Sequence, residues 1–97
     1  MKNVFITENM PTETKEEYLQ YVEALDKIKY ASICQEYAPT TNKRHFHALV
    51  VYENDQGDLY DLKKYYRTAH IEEVRSVEAV DAYVKKKKDY ITKGTLK

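Results

Sequence analysis

The segment from His45 to Glu53 limits the fold of this chain more than any other. Successive side chains of a β-strand point to opposite faces, so one face is entirely apolar and the other carries two histidines followed by apolar residues. The two sets are Phe46, Ala48, Val50 and Tyr52, and His45, His47, Leu49 and Val51. Because both faces are apolar beyond the histidines, both need a cover. The segment predicts a central strand of a sheet with helices packed on it.

The rest of the chain alternates strand and helix patterns. The expected strands are 3–8, 29–37, 45–53, 70–75 and 90–92, and the expected helices are 13–26, about 59–66 and 77–88. Thr14 and Glu17 form a capping-box signal, and Ser76 is an N-cap candidate. Two β-α-β units around a central hairpin predict an α+β fold of the ferredoxin-like, RRM-like split βαβ type, with a largely antiparallel five-stranded sheet. The extra helix, 77–88, is the natural cover for the histidine face.

Length and composition exclude several classes of protein. The 97 residues predict one domain, 1–97, without a signal peptide or a membrane span, and so an intracellular protein that is not secreted. A single cysteine, Cys34, excludes an internal disulfide and is expected in the core. Sixteen basic and sixteen acidic residues give zero net charge, which argues against binding of nucleic acid by bulk charge alone. However, Lys85 to Lys97 holds six lysines and one acid, which would attract a polyanion.

The histidine pair suggests a metal site. His45 and His47 stand side by side about 7 Å apart along one face. If strand 29–37 pairs with the histidine strand, Glu36 near its end lies opposite one of them. Two imidazoles and a carboxylate favour Mn²⁺ or Mg²⁺ over a closed structural zinc site. The alternative is a hydrogen-bonded structural histidine pair beside a solvated glutamate.

The last helix supplies a second group of reactive side chains. A stripe of valines faces the core, and Tyr83 lies about a quarter turn from its centre. Lys86 and Lys87 follow on the same side as Tyr83. A tyrosine with a pKa of about 10 needs a metal and nearby positive charge to attack a phosphodiester. Together with the histidines, this pattern indicates chemistry on single-stranded nucleic acid. The alternative is an amphipathic helix with a boundary tyrosine and a solvated lysine face.

Five segments, in order, resemble the replication initiator (Rep) nickases of circular single-stranded-DNA viruses, in the HUH endonuclease superfamily. Val4-Phe5-Ile6-Thr7 with Asn9 is similar to the first motif, which contributes to DNA recognition. His45-Phe46-His47-Ala48-Leu49-Val50 resembles the metal-binding motif, and Ala82-Tyr83-Val84-Lys85-Lys86 resembles the Tyr-x-x-Lys motif. Ile33-Cys34-Gln35-Glu36 is similar to the segment that carries the acidic ligand in geminivirus and circovirus initiators. Residues 69–75 resemble the strand that leads into the nucleophile helix.

The resemblance implies a sequence-specific single-stranded-DNA endonuclease that initiates rolling-circle replication. Glu36, His45 and His47 would bind Mn²⁺ or Mg²⁺, and Tyr83 would attack the scissile phosphate to leave a 5′-phosphotyrosine link and a free 3′-OH. The reverse attack would rejoin the strand. Lys86 would orient metal-bound water or steady the phosphate, although the lysine run leaves Lys87 as an alternative.

The resemblance also implies partners. These are single-stranded DNA at an origin stem-loop and a helicase domain in the full-length protein. The resemblance implies the host nucleus as the location. The expected DNA contacts are Phe5, Thr7, Asn9, Arg44, His70 and Lys87.

Two alternatives remain open. A non-catalytic RRM-like module would share the strand order, but the histidine strand lacks the glycines of the RRM signature. Another HUH enzyme, such as a plasmid initiator, relaxase or single-tyrosine transposase, would share the chemistry and differ in the DNA that it prefers.

Overall fold

A computed structural model of the chain describes residues 2–9, 11–25, 28–54, 69–86 and 89–95. The elements are β1 (Asn3–Asn9), α1 (Lys15–Leu25), β2 (Ile28–Tyr37), β3 (Arg44–Tyr52), β4 (Ala69–Glu73), α2 (Val77–Lys86) and β5 (Tyr90–Gly94). They match the predicted elements to within one or two residues at most ends. The helix expected over 59–66 lies outside the described residues. Neither described helix is long and apolar enough to cross a membrane.

The five strands form one sheet in the order β4-β1-β3-β2-β5, and every neighbouring pair is antiparallel. Strands β1 and β2 therefore run parallel to each other with β3 between them, which is the arrangement of a split βαβ unit. Strand β5 extends the sheet beyond β2. The predicted α+β fold is confirmed, and the histidine strand is the central strand.

The start of each helix is fixed by the cap that the sequence predicted. The backbone N–H of Thr14 donates to Glu17 Oε1 over 3.0 Å, and the N–H of Glu17 donates to Thr14 Oγ1 over 3.1 Å. This reciprocal pair is a capping box, which satisfies two backbone donors at the first turn of α1. At the start of α2, the N–H of Ala79 donates to Ser76 Oγ over 3.4 Å.

Each face of the sheet has its own apolar core. Helix α1 packs its buried face on the apolar side of β3, where Phe46 and Tyr52 are fully buried. Helix α2 packs on the opposite side, where Val84 lies against Leu49 and other buried residues of the histidine face. Each fully buried Val or Leu side chain contributes roughly 1.5–3 kcal/mol. The prediction that helices cover both faces, with the last helix on the histidine face, is confirmed.

The hairpin between β2 and β3 sets the register of the site. The chain turns over residues 38–43, where the N–H of Ala38 donates to Lys43 O over 2.9 Å. Asn42 adopts the left-handed conformation, with φ 56°, which asparagine tolerates better than most residues. In the resulting register, Glu36 pairs with His45 across the two strands. Cross-strand partners share a face, so Glu36 lies on the histidine face.

Candidate metal centre and nucleophile

Glu36, His45 and His47 form a compact group of possible metal ligands. Glu36 Oε1 lies 2.8 Å from His45 Nε2 and 2.9 Å from His47 Nε2. One ligand atom from each residue lies within 4.8 Å of the other two. The side chains are partly buried, with 26 %, 19 % and 13 % of their area exposed, respectively. Two imidazole nitrogens and one carboxylate oxygen at these separations fit a divalent cation that keeps open positions.

Strand β1 holds His47 from the neighbouring position in the sheet. Phe5 stacks on the His47 ring, with centroids 5.5 Å apart and planes 6° from parallel. Thr7, the cross-strand partner of His47, places Oγ1 3.3 Å from its Nδ1. A hydrogen bond at Nδ1 selects the orientation in which Nε2 faces the ligand group. Two residues of β1 thus fix the direction of one candidate metal ligand.

Tyr83 reaches the same face from α2. Its ring centroid lies 5.9 Å from that of His47 and 6.1 Å from that of Phe5, in edge-on geometry with both. The side chain remains 42 % exposed. The candidate nucleophile therefore lies beside the candidate metal ligands and is open to a ligand from outside. The sequence predicted that Tyr83 and the histidines share a face, from the faces of the histidine strand together with the helix pattern.

A cavity of about 340 Å³ opens next to Tyr83, between the β1–β4 side of the sheet and the first half of α2. Its lining is largely apolar and includes both the ring that stacks on His47 and the candidate nucleophile. The residues that line it are Phe5, Glu72, Glu73, Val74, Arg75, Ser76, Ala79, Val80 and Tyr83. Its size and its aromatic lining suit a group as large as a nucleoside.

A family model of the Geminivirus Rep catalytic domain matches residues 1–97. The chain belongs to this family. No individual curated protein matches it. The family is one of rolling-circle replication initiators that bind single-stranded DNA and depend on a metal, and the group formed by Glu36, His45 and His47 is a possible site for that metal in this Rep domain.

The lysines that follow the nucleophile in this Rep domain differ in their surroundings. Lys85 is bound to Asp81, with Nζ 2.9 Å from Oδ2. Lys86 is exposed in the turn that follows Tyr83. Lys87 lies outside the described residues. The ion pair holds Lys85 on the side of the helix away from Tyr83. Lys86 is the lysine at the Tyr-x-x-Lys spacing among the described residues.

A buried polar cluster on α2 was not anticipated from the sequence. Asp81 is only 6 % exposed, and its Oδ1 accepts a hydrogen bond of 2.5 Å from Tyr30 Oη on β2. Burial opposes ionisation of Asp81, but the hydrogen bonds from Tyr30 and Lys85 outweigh it and lower the pKa of the carboxyl below its ordinary value. A signal was present, since an acid beside the valine stripe with a lysine four residues later is typical of an ion pair on a helix.

The residues expected to contact DNA fall into two groups. Phe5, Thr7, Asn9 and His70 lie on the histidine face, according to the strand register. Arg44 lies on the other face beside Phe46, and the structure does not bring it to the site. Its guanidinium donates to the carbonyl oxygens of Pro11 and Glu13, each over 2.6 Å, and to Gln35 Oε1 over 3.1 Å. Arg44 thus ties the β2–β3 hairpin to the segment before α1.

Proposed function

We propose that this Rep domain nicks and rejoins single-stranded DNA at a replication origin, with Tyr83 as the nucleophile and a divalent metal as cofactor. The observation that carries the proposal is the meeting of two groups on one face of the sheet. The ligand atoms of Glu36, His45 and His47 converge within 4.8 Å, and the Tyr83 ring lies 5.9 Å from that of His47. Neither group alone would indicate this reaction, because a histidine pair and a boundary tyrosine both have structural explanations.

The chemistry is a transesterification at phosphorus. Tyr83 Oη forms a bond to the scissile phosphorus and loses its proton to solvent, while the bond from phosphorus to the 3′ oxygen breaks. The electron pair of that bond goes to the 3′ oxygen, which takes up a proton and becomes the 3′-OH. Mn²⁺ or Mg²⁺ held by Glu36, His45 and His47 would supply positive charge that polarises the phosphate. Lys86, exposed one turn after Tyr83, would add charge near the developing anions.

The product explains both halves of the proposed activity. The 5′ end of the cut strand stays attached to Tyr83, and the free 3′-OH is available as a primer for rolling-circle synthesis. Attack of a 3′-OH on the phosphotyrosine reverses the same bond changes and rejoins the strand. The partial exposure of Tyr83, at 42 %, suits a nucleophile that must admit a polymer rather than a small molecule.

The surface around the site suits a single strand. Phe5, Thr7 and Asn9 lie along β1 on the histidine face, and His70 lies on the neighbouring edge strand. Aromatic side chains provide stacking surfaces for bases, and the apolar cavity beside Tyr83 offers room for one of them. We propose that the origin strand crosses this face, with its scissile phosphate between Tyr83 and the metal ligands.

The test is formation of a covalent adduct. A single-stranded origin oligonucleotide labelled at its 3′ end is incubated with the protein and Mn²⁺ and analysed on a denaturing gel. The labelled strand should shift to the size of a protein–DNA adduct, and the shift should vanish with EDTA and with Tyr83→Phe. Tyr90→Phe is the matched control, because Tyr90 is a similarly exposed tyrosine on β5 and should keep full yield.

Contrary results would separate the alternatives. An undiminished adduct in Tyr83→Phe would overturn the assignment of the nucleophile. Normal cleavage by both His45→Ala and His47→Ala in limiting metal would overturn the metal site. Binding of the oligonucleotide without any adduct would favour the RRM-like module over an enzyme.

A further inference from the structure

The apolar stripe of α2 is flanked by two polar side chains with opposite surroundings. At 100° per residue, Tyr83 lies about 90° from the centre of the valine stripe on one side and Asp81 about 70° from it on the other. The structure reflects this geometry. Tyr83 contacts Phe5 of β1 and His47 of β3, whereas Asp81 contacts Tyr30 of β2. The helix therefore lies across the middle of the sheet with one polar residue on each side.

The contacts of Asp81 define one orientation of the helix. Tyr30 is 4 % exposed and donates to Oδ1 over 2.5 Å, and Lys85 Nζ lies 2.9 Å from Oδ2. Both carboxylate oxygens thus have partners, and Asp81 is only 6 % exposed to solvent. A buried carboxylate that lost these partners would be strongly destabilising. Rotation of the helix has no comparable energetic cost at the valine stripe, because apolar contacts are not directional.

A small rotation of the helix would disturb the nucleophile. Side-chain ends lie about 6 Å from the helix axis, so a roll of about 20° moves them by roughly 2 Å. That movement breaks a hydrogen bond of ordinary length, and it moves the Tyr83 hydroxyl by the same amount. Misplacement of a reacting group by about 1 Å is enough to cost on the order of a hundredfold in rate.

We propose that Tyr30 and Asp81 are positioning residues, which fix the rotation of α2 about its axis and so aim Tyr83 at the metal ligands. The inference rests on the function proposed above. Tyr30 lies on β2, the strand that also carries Glu36, and both residues face the same side of the sheet. The hydrogen bond from Tyr30 to Asp81 therefore sets the nucleophile relative to the strand that supplies the carboxylate ligand. Lys85 completes the cluster from the next turn of the helix.

The test compares the rate of the chemical step with DNA affinity. Tyr30→Phe, Asp81→Asn and Asp81→Ala are assayed for single-turnover adduct formation at saturating Mn²⁺ and oligonucleotide, at a temperature where circular dichroism shows each variant folded. Tyr30→Phe and Asp81→Ala should slow the step by about tenfold or more. Oligonucleotide affinity, measured by fluorescence anisotropy in EDTA, should stay within about twofold. A merely structural role would lower the melting temperature and leave this rate unchanged in folded protein.

Asp81→Asn, a double variant and a control make the outcome more specific. Asp81→Asn retains an acceptor for Tyr30 Oη and should recover the rate to within about threefold of wild type, whereas Tyr30→Phe combined with Asp81→Asn should lose that recovery. Tyr37→Phe, on the same strand and 54 % exposed, is the matched control and should not slow the reaction.

The two proposals fail in different ways. A wild-type adduct with wild-type rates in Tyr30→Phe and Asp81→Ala would overturn the positioning role and leave the proposed function intact. Absence of any adduct from the wild-type domain would overturn the proposed function and the positioning role with it. Because Tyr30→Phe and Asp81→Asn are nearly isosteric, the outcome does not depend on whether Asp81→Ala folds.

Discussion

Replacement of Thr7 by valine isolates the contribution of β1 to metal binding. Valine keeps the shape of threonine and removes the hydroxyl that lies 3.3 Å from His47 Nδ1. Loss of such a partner typically weakens metal binding 10–100-fold. The contact is slightly longer than the usual 2.7–3.2 Å for hydrogen bonds that involve nitrogen and oxygen. Phe5 also continues to stack on the ring, which limits its rotation. We therefore expect a loss near the lower limit, about tenfold or 1.4 kcal/mol.

Calorimetric titration of metal-free protein with Mn²⁺ measures this loss directly. Thr92→Val is the matched control, since it makes the same substitution on the same face of the sheet, on strand β5 opposite Ser32. Its Mn²⁺ affinity should equal that of wild type within about twofold. Adduct formation by Thr7→Val should return to the wild-type rate when the Mn²⁺ concentration is raised by about the same factor as the affinity falls.

Two results would refute this reasoning. Unchanged Mn²⁺ affinity in Thr7→Val would show that the hydroxyl does not support His47. Activity that stays low at saturating Mn²⁺, together with weaker oligonucleotide binding in EDTA, would show that Thr7 acts on the DNA instead, as the motif resemblance implies.

Two predictions concern stability. Gly94 has φ +84° and a Cβ there would lie 2.2 Å from Lys29 O, so Gly94→Ala should destabilise the fold by about 2–3 kcal/mol. This corresponds to a fall of the melting temperature by roughly 10 °C or more, and Thr92→Ala is the control. A fall of under about 2 °C in Gly94→Ala would contradict the prediction. Burial and the hydrogen bond to Asp81 raise the pKa of Tyr30 above its ordinary 10.0, so its stabilisation is present below pH 10 and is lost as the pH rises through the raised pKa. The pKa of Asp81 is lowered from 3.8, because its hydrogen bonds outweigh burial, so its stabilisation is present above that value and is lost as the pH falls through the lowered pKa. Urea unfolding measured across pH should show both losses of stability. Tyr30→Phe should reduce the loss at alkaline pH. An equal alkaline loss in Tyr30→Phe and in wild type would contradict the stabilising role of the hydrogen bond between Tyr30 and Asp81.

Local patterns were sufficient to predict the fold and to group Glu36, His45 and His47 as candidate metal ligands. The two apolar faces of the histidine strand required a covered central strand, and Thr14 with Glu17 marked the start of α1. The short turn between β2 and β3 allows few registers, so the sequence places Glu36 opposite His45 or His47, and the structure pairs it with His45. Each of these inferences depends on residues close together in the sequence, where spacing determines geometry.

Contacts between distant elements could not be predicted in the same way. Tyr30 and Asp81 are 51 positions apart, and their hydrogen bond depends on the roll of a helix that the sequence pattern fixes only to within a broad stripe. The contact of Thr7 with His47 depends on the pairing of β1 with β3, which no local signal specifies. Arg44 is different, because strand alternation places it on the face opposite to its neighbour His45.

The β2–β3 hairpin carries all three candidate metal ligands, and this has a consequence for how the chain folds. Glu36 and His45 are 9 positions apart, whereas Thr7 and His47 are 40 apart. Closing the 40-residue loop costs about 1.3 kcal/mol more free energy than closing the 9-residue loop, because the entropic cost rises with the logarithm of loop length. The ligand set is thus encoded in one local hairpin that can assemble before β1 and β4 complete the sheet. The spacing of the three candidate ligands thus depends on a single turn, whereas the support of His47 by β1 and the placement of Tyr83 beside it depend on the finished sheet.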